Sequence, residues 1–157
     1  MYVMLIIACV ALAGRARASE WRPSDEFLKA VRIVESSNGM NKVGDHGESL
    51  GEFQLSEAAW LDVNSWRRVR GLKTYPYDVT VFHSYISRVY ASNYLTILHD
   101  GLARKLHRPP THAELYAAYN LGPRSFAQCD YKLHRVNAVT RARCQQIATL
   151  LEGKASS

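Results

Sequence analysis

Residues 24–39 read SDEFLKAVRIVESSNG, and this stretch decides the fold class. Ser24 is an N-cap type of residue, because its side-chain oxygen can take one of the free N–H groups that open a helix. Phe27, Ala30, Val31 and Val34 follow at i, i+3, i+4 and i+7, the spacing that lines one face of an α-helix. Asn38-Gly39 then supplies a natural stop.

The same grammar recurs further along. Ser56 caps a second helix through Trp60, Val63 and Trp66. Asp78 is placed to open a third, in which Phe82, Ile86, Val89, Tyr90, Ile97 and Leu98 repeat at helical spacing. Pro109-Pro110 interrupts the chain, and Thr111-His112-Ala113-Glu114 has the form of a capping box. The helix behind it carries Leu115, Ala118 and Tyr119 and is expected to end at Gly122-Pro123. A last helix is expected from Asn137 to Glu152, with Cys144, Ile147, Leu150 and Leu151 turned inward. No long alternating segment announces a strand, although the glycine-rich stretch from Gly44 to Phe53 suits a small hairpin. The expected fold is mainly α, with a small irregular or β-hairpin loop region.

A chain of 157 residues fits one domain. Its 47% hydrophobic content is that of a globular protein, and 9 Gly with 5 Pro exclude a collagen-like or disordered chain. Tyr2 to Ala13 (YVMLIIACVALA) is apolar and is followed by Ala16-Arg17-Ala18, an A-x-A cleavage signal. Such a run is short for a bilayer span and suits a secretory signal. Residues 1–18 are therefore read as a signal peptide and 19–157 as the mature domain, exported to the periplasm or secreted, with no stable membrane span after cleavage. A short anchor, or a lipid-carrying Cys9, is the alternative. Losing Arg15 and Arg17 lowers the formal charge from +6 to +4, a modest bias towards acidic surfaces. Cys129 and Cys144 remain, either as a disulfide, whose loop closure would contribute roughly 3 kcal/mol, or as two partly buried thiols. No C-x-x-C spacing points to zinc or dithiol chemistry.

Glu35 is the residue with the clearest chemistry. It follows Val31 by four residues and Leu28 by seven, so the three share a helical face. A carboxylate on an apolar face beside a helix C-terminus loses solvation and meets a partial negative charge. Both effects favour the neutral acid, the form a proton donor in glycoside cleavage requires. Three segments extend the pattern: Glu35-Ser36-Ser37-Asn38-Gly39, Gly51-Glu52-Phe53-Gln54, and Ala117-Ala118-Tyr119-Asn120-Leu121-Gly122-Pro123. In type and order they resemble the lysozyme-like lytic transglycosylases, which carry a catalytic Glu-Ser pair, a G-x-x-Q segment and an A-Y-N-x-G-P motif. The resemblance covers about residues 24–125.

That resemblance implies a lysozyme-like fold, a peptidoglycan glycan strand as partner, a monomer and no cofactor. It implies that Glu35 protonates the glycosidic oxygen and then acts as base, that Ser36 supports the structure near it, and that Gln54, Tyr119 and Asn120 line the groove. Read singly, Tyr119 is equally a core aromatic, Asn120 a turn residue and Gln54 a surface amide. Two features depart from the family pattern. Glu52 puts a carboxylate where the family usually has Leu in G-L-M-Q, and no tyrosine stands near Asn137–Ala142 in the last helix. The loop from Gly44 to Gly51 is also similar to that of invertebrate-type lysozymes, where a second acid lies. Asp45 is then a candidate second carboxylate, with Glu48 behind it; its plainer role is an Asx turn. A hydrolase would use that second group, whereas a transglycosylase closes a 1,6-anhydro ring with one acid. A non-catalytic glycan-binding wall protein is the remaining alternative.

Other patterns carry less. Asp45, His46 and Glu48 lack any metal-ligand spacing, so no metal site is expected. Arg67-Arg68-x-Arg70, with Trp66 and Tyr75 nearby, and Arg104-Lys105-x-His107-Arg108 are basic clusters; an exported protein has more use for them on an acidic cell wall than on nucleic acid, and a solvated face is the simplest reading. Nucleic acid is not an expected partner.

Overall fold

The computed structural model describes residues 20–44 and 47–153. The expected export signal at 1–18, Cys9 and the candidate carboxylate Asp45 lie outside the described residues. Helix α1 spans Asp25–Ser36, and Ser24 Oγ accepts the Phe27 N–H at 3.1 Å. Ser56 does the same for α2 (Glu57–Val69), accepting from Ala59 at 3.3 Å. After α3 (Ser84–Leu106), α4 (His112–Leu121) opens on a reciprocal capping box. Thr111 Oγ1 accepts the Glu114 N–H at 3.2 Å, and Glu114 Oε2 accepts the Thr111 N–H at 2.8 Å. A short α5 (Pro123–Gln128) follows, and Asn137 caps α6 (Ala138–Glu152) by accepting from Thr140 at 2.8 Å. Each such cap contributes about 1 kcal/mol.

One boundary differs from expectation. Asp78 makes no side-chain cap; a 3-10 turn over Val79–Phe82 intervenes and α3 begins only at Ser84. Phe82, counted as part of the helical stripe, lies on that turn and is largely exposed. α4 ends at Gly122 as expected, and Pro123 then opens α5 at its first position, where a missing N–H costs nothing. The glycine-rich loop holds the expected hairpin, β1 (Val43–Gly44) with β2 (Ser49–Leu50), and β3 (Leu55–Ser56) follows just beyond it. They form an antiparallel sheet in that order, with Gly44 opposite Ser49 and Leu50 opposite Leu55.

Helix α4 is the centre of the molecule. Every residue from Glu114 to Tyr119 is buried, and the helix packs against α3, α5 and α6 while α1 closes on α6 and α3. A helix without a polar face belongs in an interior. On the other side of α3, Trp60 and Tyr90 stack with ring centroids 3.8 Å apart. Their polar ends are satisfied: Trp60 Nε1 donates to Tyr75 O at 2.8 Å, and Tyr90 Oη accepts from Tyr75 N at 2.8 Å and donates to Asn64.

This core also claims part of the basic clusters. Arg67 is buried and donates to Lys73 O at 2.7 Å and Asn93 Oδ1 at 2.6 Å. Arg70 covers the Trp66 ring at 3.8 Å and pairs with Glu20, and Arg108 forks onto Glu114 at 2.9 and 2.6 Å. Arg67 is thus structural, whereas Arg68, Arg70, Arg104, Lys105, His107 and Arg108 are exposed, as a solvated face would have them.

Cys129 and Cys144 are both free thiols, which decides against the disulfide alternative. Their sulfurs face different backbone carbonyls, Arg135 O at 3.6 Å and Ala113 O at 3.5 Å. Burial pushes the Cys144 thiol up to about 11. Among the described residues, no helix is long and apolar enough to cross a membrane.

Candidate active site

Glu35 occupies the last turn of α1, and its side chain is only 6% exposed. The apolar stripe of the helix carries it inward, since Leu28 and Val31 on the same face are core residues. Its carboxylate is nevertheless engaged. Oε1 accepts a hydrogen bond from Tyr116 Oη at 2.7 Å, and Oε2 lies 3.7 Å from Arg143 Nη1.

Ser36 is buried behind it. Its hydroxyl donates to Glu52 O at 2.6 Å and accepts the Gly39 N–H at 2.8 Å. One side chain thus joins the end of α1 to the turn over residues 51–54. Gly51 adopts φ +78° there, and a Cβ on it would stand 2.4 Å from Val81 O, so both conformation and space require glycine.

Glu52, the departure from the family pattern, points away into a polar cluster rather than into the loop's solvent. Its carboxylate accepts from Ser84 Oγ at 2.7 Å and has Lys42 Nζ at 3.5 Å. Arg32 Nε is 2.8 Å away, close enough to pair charges though not aligned as a hydrogen bond. Burial opposes its charge, but Ser84, Arg32 and Lys42 together outweigh that and hold the carboxyl below the usual range.

Gln54 has a left-handed backbone, φ +47°, and its amide nitrogen donates to Gly51 O at 2.7 Å and Asn41 O at 3.2 Å. A Cβ on Gly44 would overlap its amide oxygen, so glycine at 44 makes room for it. Tyr119, buried on α4, donates to Phe53 O at 2.7 Å. Burial, and after it the charge of Glu35, drives the Tyr119 phenol well above its ordinary value, so it remains a donor. Asn120 Oδ1 accepts from Thr140 Oγ1 of α6 at 2.8 Å.

Glu35, Gln54, Tyr119 and Asn120 line one partly open cleft of about 170 Å³, floored by Leu55 and walled by Leu121. Four of the residues singled out in the sequence therefore come together, with Ser36 as support behind them. Asp45 lies outside the described residues, and Glu48 is exposed and does not line the cleft. Among the described residues lining it, Glu35 carries the one carboxylate. Asp45 and His46 being outside, no group of three or more His, Cys, Asp or Glu gathers among the described residues.

Two residues at the site escaped the sequence reading. Tyr116 stands three before Tyr119, hence on the same helical face, and that spacing was a usable signal. Its phenol is driven far above its ordinary value by burial and then by Glu35, which keeps it protonated and donating. Arg143 has no local signature; only the packing of α6 on α1 brings it to Glu35. The acid is thus reached by an arginine from α6 and a tyrosine from α4. No protein-family model, curated protein or solved structure matches the chain.

Proposed function

We propose that this is a lysozyme-like, exported enzyme that cleaves the β-1,4 bond between N-acetylmuramic acid and N-acetylglucosamine in peptidoglycan, as a lytic transglycosylase. The observation that carries the reading is the convergence of segments 35–39, 51–54 and 117–123 on one cleft in which Glu35 is nearly buried. Glu35 donates its proton to the leaving oxygen as the C–O bond breaks and an oxocarbenium-like centre develops. The resulting carboxylate takes the proton of the sugar's own C6 hydroxyl, whose oxygen closes onto C1 and gives the 1,6-anhydro product. Tyr116 orients the carboxylate, and fixed amide groups such as those of Gln54 and Asn120 suit the sugar's acetamido and hydroxyl groups.

A second reading, glycan binding without cleavage, draws on the engagement of Glu35 by Tyr116 and Arg143, which is also how a structural carboxylate is held. Digestion of purified peptidoglycan by the mature protein, with Glu35→Gln as control and products weighed by mass spectrometry, tests both. Anhydro-ended muropeptides are the expected result. Products one water heavier mean hydrolysis and promote Asp45. Binding without products from either protein refutes the enzyme.

A further inference from the structure

We infer that Arg143 is a specificity-determining residue that reads a carboxylate on the glycan lying beside Glu35; this rests on the assignment of the cleft to peptidoglycan. The pair distance of 3.7 Å is too long for a hydrogen bond, and the Arg143 side chain is 39% exposed. A guanidinium offers five N–H donors in a planar fork matched to carboxylates. Among the described residues, the Arg143 guanidinium makes no hydrogen bond, in contrast to those of Arg67 and Arg108, which are taken up by protein acceptors.

Its position is also next to the cleft, bordering the acid. Thr140, one turn earlier on the same face of α6, holds Asn120 at the cleft. Arg143, one turn further on, stands at the Oε2 edge of the Glu35 carboxylate, beside the cleft lining rather than within it.

Charge balance then selects the ligand. Once Glu35 carries the proton it is to deliver, Arg143 faces a neutral group, and among the described residues no other carboxylate pairs with it. A ligand carboxylate restores the balance in a site that is partly shielded from water. A chain of N-acetylglucosamine alone has no such group. Peptidoglycan offers two sources, the lactyl carboxyl of muramic acid without a peptide and the carboxylates of the peptide stem. The shared chemistry is a carboxylate on or next to the muramic sugar.

The test measures binding by calorimetry in the full chain carrying Glu35→Gln, where the amide stands in for the neutral acid and no turnover interferes. Three probes of equal glycan length are compared: peptide-bearing peptidoglycan fragments, the same fragments stripped of peptide, and chitin oligosaccharide. The expected result is about tenfold tighter binding of a carboxylate-bearing probe than of chitin. Adding Arg143→Gln should shrink that ratio to within about twofold, and Arg143→Lys should keep part of it through its point charge. If the glutamine variant melts early, the lysine variant carries the comparison. Preference for the stripped fragment identifies the lactyl group, and preference for the peptide-bearing one identifies the stem. A ratio near one in the parent, a ratio that survives Arg143→Gln, or no glycan binding at all overturns the inference. A preference that depends on Arg143 in a protein whose wild-type form yields no cleavage products would uphold it and sink the enzyme assignment instead.

Discussion

Replacing Glu52 by glutamine keeps the shape of a side chain that is 8% exposed and removes only its charge. The carboxylate has three partners: the Ser84 hydroxyl at 2.7 Å, Arg32 at 2.8 Å and Lys42 at 3.5 Å. A hydrogen bond to a charged group contributes roughly 1.5–3 kcal/mol. The full penalty of about 3–5 kcal/mol for orphaning a buried charge is not reached, because Arg32 and Lys42 are 35% and 42% exposed and rehydrate. The expected loss at pH 7 is therefore about 2 kcal/mol, or about 4–8 °C in Tm for a chain of this size. The sign with pH follows from the lowered carboxyl. A group held below its unfolded value of 4.5 stabilises the fold above that pH and loses the contribution as pH falls through the folded value. Urea unfolding of both proteins at pH 7 and at steps below 4.5 should show a gap that closes in acid. A loss under about 0.5 kcal/mol at pH 7, or a gap of constant size down to the acid limit, would refute the account of Glu52 as a charged anchor.

Gly51→Ala should cost more than about 2 kcal/mol in chemical denaturation, since the methyl meets Val81 O at 2.4 Å and the backbone is left-handed; a neutral result would mean that the turn over residues 51–54 is not held against Val81. Tyr116→Phe should lower glycan cleavage by about tenfold to a hundredfold while Tm moves by only a few degrees, because one charge-assisted donor is lost. Unchanged turnover would remove Tyr116 from the site. With Cys144 buried and its thiol raised to about 11, iodoacetamide at pH 8 should label Cys129 well before Cys144 in the native protein, as read by peptide mass. A reducing agent should leave Tm unchanged.

Much of this architecture is written locally. Ser24, Ser56 and Thr111 with Glu114 each announce a helix start by chemistry confined to four residues, and each caps as expected, while Asn137, expected as the first residue of the last helix, is its cap instead. The α3 start was missed because Asp78 has the right side chain in the wrong conformation, with a 3-10 turn intervening. The strands are two residues long, too short to generate an alternating pattern at all. At the site, Glu35, Gln54, Tyr119 and Asn120 were legible as motif residues, whereas Arg143 reaches Glu35 only because α6 packs on α1. Glu52 was visible but misplaced, since a loop carboxylate and a buried one look alike until Arg32, Lys42 and Ser84 are known to surround it.

Tyr116 and Tyr119 leave α4 one turn apart, and one phenol fastens Glu35 of α1 while the other fastens the carbonyl of Phe53. The two jaws of the cleft are thus bolted to a single rod, a helix buried at every residue from Glu114 to Tyr119. Such a clamp has a fixed gauge: neither jaw can shift without stripping a thread in the core. Adapting it to a bulkier or slimmer ligand is then a matter of relining the jaws, at Gln54, Asn120 or Leu121, and leaving their spacing alone.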